Sequence, residues 1–254
     1  MTAIAQPQTY QAPEQLLKDR IIIVTGAGDG IGKAAALSFA HVGATVVLVG
    51  KTIEKLEAVY DQIEQAGGPQ PAIYPMHFNG AVMKDYLDMH DALEQAFGRI
   101  DGLLLNASIL GDHKSIAQSN VETWMEVMQV NLNSAFMMTQ AMMPLLEASD
   151  SASVIFTSSS VGRKGRAYWG PYAVSKFATE GLMQTLADEL ENTSTIRCNA
   201  INPGATNTSM RRSAFPGEQP DTNPSPEAIM PLYLYLMGSD SKSVNGQSLD
   251  AQPK

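Results

Sequence analysis

RIIIVTGAGDGIG runs from Arg20 to Gly32. Its first half, Arg20 to Thr25, is a short β-branched run of the kind that forms a parallel strand buried on both faces. Its second half places glycines at 26, 28, 30 and 32. A helical stretch follows from about Ile31 to Val42 and closes at Gly43. Glycine allows a tight turn at positive φ and lets backbone come close to a ligand. The following helix aims its unpaired N–H groups and positive dipole end at whatever sits there. A glycine cluster alone describes many ordinary loops. Between a strand and a helix it predicts a pyrophosphate guest, held by Gly26, Gly28, Asp29, Gly30, Ile31 and Gly32.

Outward from that turn, the same punctuation repeats. Apolar runs at Ala44–Val49, Ala72–Met76, Gly102–Leu105, Ser153–Phe156, Ile196–Ile201 and Gln247–Leu249 read as strands. Helical patterns at Ile53–Ala66, Val82–Phe97, Val121–Leu146, Tyr172–Glu191 and Pro226–Met237 lie between them. This alternation predicts an α/β fold, a single-domain, Rossmann-like, doubly wound parallel sheet of about seven strands with helices on both faces. The domain is expected over 16–254, after a loosely ordered lead-in over 1–15. The Pro-rich stretch from Phe215 to Pro226 reads as a surface loop within it.

Composition narrows the function classes. With 44% hydrophobic and 17% charged residues, the chain has a globular composition. A net charge of −9 makes nucleic acid an unsuitable partner, because an acidic surface releases no counterions from phosphate. One cysteine, Cys198, excludes an internal disulfide, and four scattered histidines do not make a zinc site. No metal is expected. No apolar run approaches the ~20 residues of a membrane span, and the first residues lack the pattern of a secretory signal. A cytoplasmic protein is the expectation.

The end of the second strand discriminates between dinucleotides. An acidic residue there would accept hydrogen bonds from a bare ribose. The chain instead has Val49-Gly50-Lys51-Thr52. Lys51 supplies positive charge and Thr52 a hydroxyl donor, which favours NADP(H). NAD(H) stays open, since Asp29 adds a negative charge nearby.

Tyr172 has a lysine four positions on, in YAVSK. On a helix, that spacing puts Tyr172 and Lys176 on one face. An ammonium about 4 Å from the phenol oxygen would stabilise the phenolate by ~4 kcal/mol at an effective dielectric of 20. That would bring the pKa from about 10 to about 7, suited to proton exchange with a carbonyl or alcohol oxygen. A Tyr–Lys pair alone can arise by chance. Ser159, thirteen residues earlier in VIFTSSSVG at the end of the fifth strand, adds a hydroxyl where such sheets bind ligands.

The glycine turn, Ser159, Tyr172 and Lys176 together resemble the short-chain dehydrogenases/reductases. The similarity runs from about Arg20 to Leu249, and its finer detail is most like the YciK-type bacterial oxidoreductases. TGAGDGIG matches the family's TGxxxGxG, and SSVG followed by YAVSK matches its Ser and YxxxK elements. MQVNLNSAF supplies the helix asparagine, Asn131, and CNAINPG with Thr208 resembles the segment holding the nicotinamide end. The resemblance implies an NADP(H)-dependent oxidoreductase interconverting a small-molecule carbonyl and alcohol. Ser159 would orient the substrate oxygen and Tyr172 would donate the proton. Lys176 would lower the tyrosine pKa and hold the ribose, and Asn131 would anchor a water linking Lys176 to solvent. Asn106, Ala107, Pro203, Gly204, Thr206 and Thr208 would join the glycine loop, Lys51, Thr52, Tyr172 and Lys176 as cofactor contacts. A non-catalytic dinucleotide sensor on the same fold is the competing reading.

Two departures stand out. The family's NAG after the fourth strand is Asn106-Ala107-Ser108 here, which adds a side chain where backbone runs close to cofactor. The third strand ends Met76-His77-Phe78-Asn79, where the family often has Asp. Residues 205–229 would cover the substrate. Arg163, Lys164 and Arg166, with Arg211, Arg212 and Phe215, are candidates to face it, as anion receptors or as plain solvated charge. Met125, Met128, Met137, Met138, Met142 and Met143 lie in one helical stretch and read as core, with some at the subunit contact of the homodimer or homotetramer that the resemblance implies.

Overall fold

A computed structural model describes residues 7–253 of the chain. Seven strands form one parallel sheet: β1 (Ile21–Thr25), β2 (Thr45–Gly50), β3 (Ala72–Pro75), β4 (Gly102–Leu105), β5 (Ser153–Thr157), β6 (Arg197–Asn202) and β7 (Ser248–Asp250). Their spatial order is β3-β2-β1-β4-β5-β6-β7, so the chain reverses direction across the sheet between β1 and β4. The register pairs Val24 with Leu48 on one side and with Leu104 on the other. The doubly wound fold expected from the sequence is the fold observed.

The inner strands are apolar at nearly every position because both faces are covered. Ile22, Val24, Leu48, Leu104 and Ile155 face one core, and Ile23, Val47, Leu103, Val154 and Phe156 face the other. On the first face lie α1 (Gly30–His41), α2 (Ile53–Gln65) and α8 (Met230–Met237), through residues such as Phe39, Leu56 and Leu232. On the second lie α3 (Met83–Phe97), α5 (Ser134–Glu147) and α6 (Gly170–Leu190), through Met89, Met142 and Met183. The edges are blunted: β3 ends in Pro75, and β7 is three residues long.

Two regions depart from the expected pattern. The helix anticipated over Val121–Leu146 is interrupted. It runs as α4 (Val121–Met128), widens to a π-turn over Gln129–Asn133 and resumes as α5. Of the candidate site residues, Asn131 falls inside that turn. Residues 1–6 of the expected loose lead-in lie outside the described residues, but residues 7–15 are docked rather than loose. Gln8 Nε2 donates to the Asp250 carbonyl at 2.8 Å, Tyr10 donates to Asp240 at 2.8 Å, and the Tyr10 ring meets Tyr235 edge-on at 5.3 Å.

Candidate active site

The crevice opens at the C-terminal ends of β1 and β4, where the strand order reverses and such sheets bind ligands. Its floor is the glycine turn. Gly26 sits at φ +69°, a left-handed conformation, where a Cβ would come within 3.1 Å of the Ala107 backbone. Gly32 is required for a different reason: a Cβ there would collide with the Gly26 carbonyl oxygen, so the turn could not close on α1. Thr25 locks the opposite wall. Its hydroxyl accepts from the backbone N–H groups of Asn106 at 2.9 Å and Ala107 at 3.0 Å. The Asn106 amide is itself committed, donating to the Thr25 carbonyl and accepting from the Thr157 hydroxyl.

The resulting cleft encloses about 360 Å³. Gly26, Gly28, Asp29, Ile31, Lys51, Thr52, Asn106, Ala107 and Thr208 form part of its wall, as the sequence indicated, and so do His77 and Asn79. Gly30, Gly32, Tyr172, Lys176, Pro203, Gly204 and Thr206 are not in that wall; Lys176 instead lines a smaller hollow with Asn131 and Thr157 that shares Phe78 and Ala107 with the cleft. Gln252 Nε2 takes the carbonyls of Pro203 at 2.9 Å and Ala205 at 2.8 Å, tying this loop to the C-terminal end of the chain. Asp29 caps α1, accepting from Gly30 N at 2.7 Å, and pairs with Lys55 at 2.7 Å. The Lys55 ammonium holds the Asp29 carboxyl below its usual range, with the Gly30 N–H and the Ser209 hydroxyl adding to the effect. Sequence reasoning missed Lys55. The available signal was its place in the first turn of the helix that follows Lys51.

Beside that cleft, next to Ser108 of its wall, stands the cluster of candidate catalytic residues. Tyr172 and Lys176 project from one face of α6, with Lys176 Nζ 5.5 Å from the phenol ring centre. Pro171 in the first turn of α6 starts the helix without an orphaned N–H. Of three consecutive serines, Ser158 is buried beneath β6, Ser160 is exposed, and Ser159 presents its hydroxyl to Tyr172. Ser108 presents a second hydroxyl to the same phenol. Asn131 braces the site. It accepts from Ile109 N at 2.8 Å and donates to the Ile109 carbonyl at 2.9 Å and to Ser175 at 3.0 Å, so both its N–H donors are engaged.

The electrostatics differ from the expectation. Burial pushes the Tyr172 phenol up to about 12, against the pull of the Ser159 and Ser108 hydroxyls toward the ionised form. Burial also lowers Lys176 to about 8, with the Glu180 carboxylate opposing. Lys176 gives a 2.7 Å hydrogen bond to the Thr157 carbonyl. An amine that loses its proton near 8 is neutral before a phenol at 12 ionises. In the protein by itself, burial thus works against the predicted lysine-driven fall of the tyrosine.

Above Tyr172, aromatic rings form the cover. Trp169 meets Tyr172 at 5.9 Å, Phe215 at 5.7 Å and His113 at 4.7 Å. Phe215 follows α7 (Ser209–Ala214), a short helix capped by Thr208, which accepts from Arg211 N at 3.1 Å. The basic residues considered together as an anion receptor have separate fates. Arg163 is taken up by Ser248 and Asp250 of β7. Arg211 pairs with Glu218 at 2.6 Å, and Arg212 bonds to Asn207 and Ser209. Arg166 lies over the rings of Trp169 and Phe215 at 5.6 and 5.5 Å.

The fold recurs in known proteins. A family model described as short chain dehydrogenase matches residues 20–219. The chain belongs to the short chain dehydrogenases. As a member of that family it is an oxidoreductase, of the YciK-like type. It is 50% identical to the uncharacterized oxidoreductase YciK of Escherichia coli (strain K12) over 244 residues, 96% of each chain. A short chain dehydrogenase from Pseudomonas syringae superposes with a TM-score of 0.94 at 57% identity, covering 96% of this chain and 98% of that one. One from Shigella flexneri 2a, solved in complex with NADP, superposes with a TM-score of 0.93 at 49% identity, covering 95% and 100%.

Among the described residues, no helix of this short chain dehydrogenase is long and apolar enough to cross a membrane. Cys198 is fully buried, and burial pushes its thiol up to about 12, so it takes no part in the site.

Proposed function

We propose that the protein is an NADP(H)-dependent oxidoreductase that interconverts a carbonyl and an alcohol, with Tyr172 as general acid and base. The observation carrying this reading is the juxtaposition of a buried phenol, a serine hydroxyl and a lysine with a cleft of about 360 Å³ that begins at a helix N-terminus. The residues at the far end fit the phosphorylated dinucleotide. Neither Lys51 nor Thr52 is a carboxylate, Thr52 makes no capping bond with its side chain, and the Asp29 charge is already balanced by Lys55. The NADP complex of the Shigella relative supports the same choice. Bound NADPH supplies the hydride.

The chain's own residues orient the substrate and manage its proton. Ser159 Oγ donates a hydrogen bond to the substrate oxygen, and Tyr172 Oη delivers the proton as that oxygen gains charge. Lys176 is held by the Thr157 carbonyl beside the ring, where its positive charge favours the phenolate whenever its own pKa exceeds that of the phenol. Asn131 fixes Ile109 and Ser175 around this centre. Substrate enters beneath Trp169, Phe215 and the cover over 205–229. The domain is proposed to span 16–254 with residues 7–15 docked on it, the working compartment to be the cytoplasm and the active form a homodimer or homotetramer. The sensor alternative has less support, because Asn131, Ser159, Tyr172 and Lys176 are all retained.

A panel of carbonyl compounds and alcohols, assayed with NADPH, NADH and their oxidised forms, tests the proposal. NADPH-linked turnover is expected for the wild type. Tyr172→Phe is expected to lose about 10²- to 10⁴-fold. Turnover that survives this substitution overturns the mechanism.

A further inference from the structure

Ser108 occupies an unusual position in this site. Its Oγ is buried and makes no hydrogen bond of good geometry with the protein. A buried hydroxyl without a partner loses about 1–3 kcal/mol of solvation, so its persistence calls for a compensating role. The residue lines the main cleft and presents its hydroxyl toward the Tyr172 phenol, as Ser159 does. Its backbone is clamped on both sides. Asn106 N and Ala107 N donate to Thr25 Oγ1 at 2.9 and 3.0 Å, and Ile109 is held through both N–H and carbonyl by Asn131 at 2.8 and 2.9 Å. Four hydrogen bonds within residues 106–109 thus hold the backbone on either side of Ser108. Fixed donors of this kind favour developing negative charge, because no reorganisation is needed when the charge appears.

We propose that Ser108 is a positioning residue for the proton donor, its hydroxyl donating a hydrogen bond to Tyr172 Oη as the phenolate forms. Ser159 and Ser108 then divide the work. Ser159 serves the substrate oxygen, and Ser108 holds the ionised phenol from the β4 side of the cleft. A glycine at position 108 would leave the phenolate with one donor fewer. This inference rests on the assignment of Tyr172 as the acid and base, and its test separates the two.

Tyrosine labelled with ¹³C at Cζ, in the full chain saturated with NADP⁺, reports each phenol ionisation by NMR, and Tyr172→Phe identifies the resonance of interest. Ser108→Ala and Ser108→Gly are each expected to weaken the acidity of Tyr172 about three- to tenfold, a rise of about half to one pKa unit. Ser108→Thr, which keeps the hydroxyl, is expected to restore most of it. An unchanged Tyr172 pKa in Ser108→Ala and Ser108→Gly overturns the proposal. So does a pKa change that Ser108→Thr shares fully with Ser108→Ala, since shape alone would then explain it. If Ser108→Ala does not fold, Ser108→Gly carries the same measurement. Loss of the parent reading shows independently, as undiminished turnover in Tyr172→Phe.

Discussion

Lys176 is a charged group placed where the fold would favour a neutral one. Burial lowers its pKa to about 8 from the 10.5 of a solvated lysine, so the folded chain binds fewer protons than the unfolded chain between these values. A depressed lysine pKa means that stability rises with pH across this window, while below 8 the penalty for the buried ammonium is fully present. Replacing Lys176 with Met removes that dependence. In urea titrations, wild type is therefore expected to gain on Lys176→Met by about 1 kcal/mol per pH unit between pH 8 and 10, the spacing set by 1.36 kcal/mol per unit. Parallel stability curves for the two proteins would show that the ammonium is not desolvated as described. The same residue sets the limit of what YAVSK alone conveys. Helical spacing placed Tyr172 and Lys176 on one face, and they are so placed. It could not show that the lysine bonds to Thr157 and that burial pulls the two pKa values apart, because both effects come from β5 and the packed core. Ser108 was legible only as an odd residue after Asn106 and Ala107. Its buried, unpartnered hydroxyl belongs to tertiary structure.

Elements with strong periodicity were the legible part of the fold. β4 coincides with its expected run, and the other strands differ by one residue at one or both ends, because continuous apolar sequence is what a strand covered on both faces demands. The π-turn at Gln129–Asn133 was hidden, since apolar residues such as Val130 continue through it and mask the extra residue in the turn. α7 was hidden too. Six residues with no buried member carry no amphipathic signal, and the helix depends on its Thr208 cap. The π-turn yields a prediction. Asn131 clamps Ile109 from within that turn, so Asn131→Ala would orphan a backbone N–H and carbonyl in the loop after β4. A loss of about 2–4 kcal/mol in unfolding free energy is expected, together with weaker NADPH binding. Unaltered stability would mean that water replaces the amide without penalty. The end of β2 yields another. Lys51→Glu is expected to weaken NADPH binding roughly ten- to hundredfold while leaving NADH within about threefold, as read by cofactor fluorescence titration. Equal loss for both cofactors would move the phosphate site elsewhere, with Lys55 the next candidate.

Across the whole molecule, exposed apolar side chains gather on the outer side of α4, α5 and α6, where a subunit contact would form. α6 turns Tyr172 and Lys176 inward, and on its other side leaves Val174 42% and Phe177 45% exposed. Val121 at 69% and Met125 at 63% on the adjoining α4, with Phe136 at 47% on α5, add further exposed apolar side chains on this half of the sheet. The methionines divide accordingly: Met138 and Met142 are fully buried core, and Met125 is exposed. On a chain of net charge −9, self-repulsion opposes association unless apolar contact outweighs it, and apolar side chains exposed on adjoining helices provide such contact. A subunit contact through α4, α5 and α6 would use the outer side of the helix that carries the catalytic pair, so assembly and site rigidity would be linked. Adding charge at that surface tests the link. Val174→Glu with Phe177→Glu is expected to lower the native mass in light scattering to that of a smaller assembly or a single chain, with far-UV circular dichroism unchanged. NADPH binding should persist, since the cleft lies on the other side of α6, while turnover falls as that helix loses its support. A wild-type chain already monomeric at micromolar concentration, or a variant of unchanged mass, would place the contact elsewhere and leave α6 braced by β5, β6, α4, the turn at Ser160–Gly162 and the π-turn of its own chain.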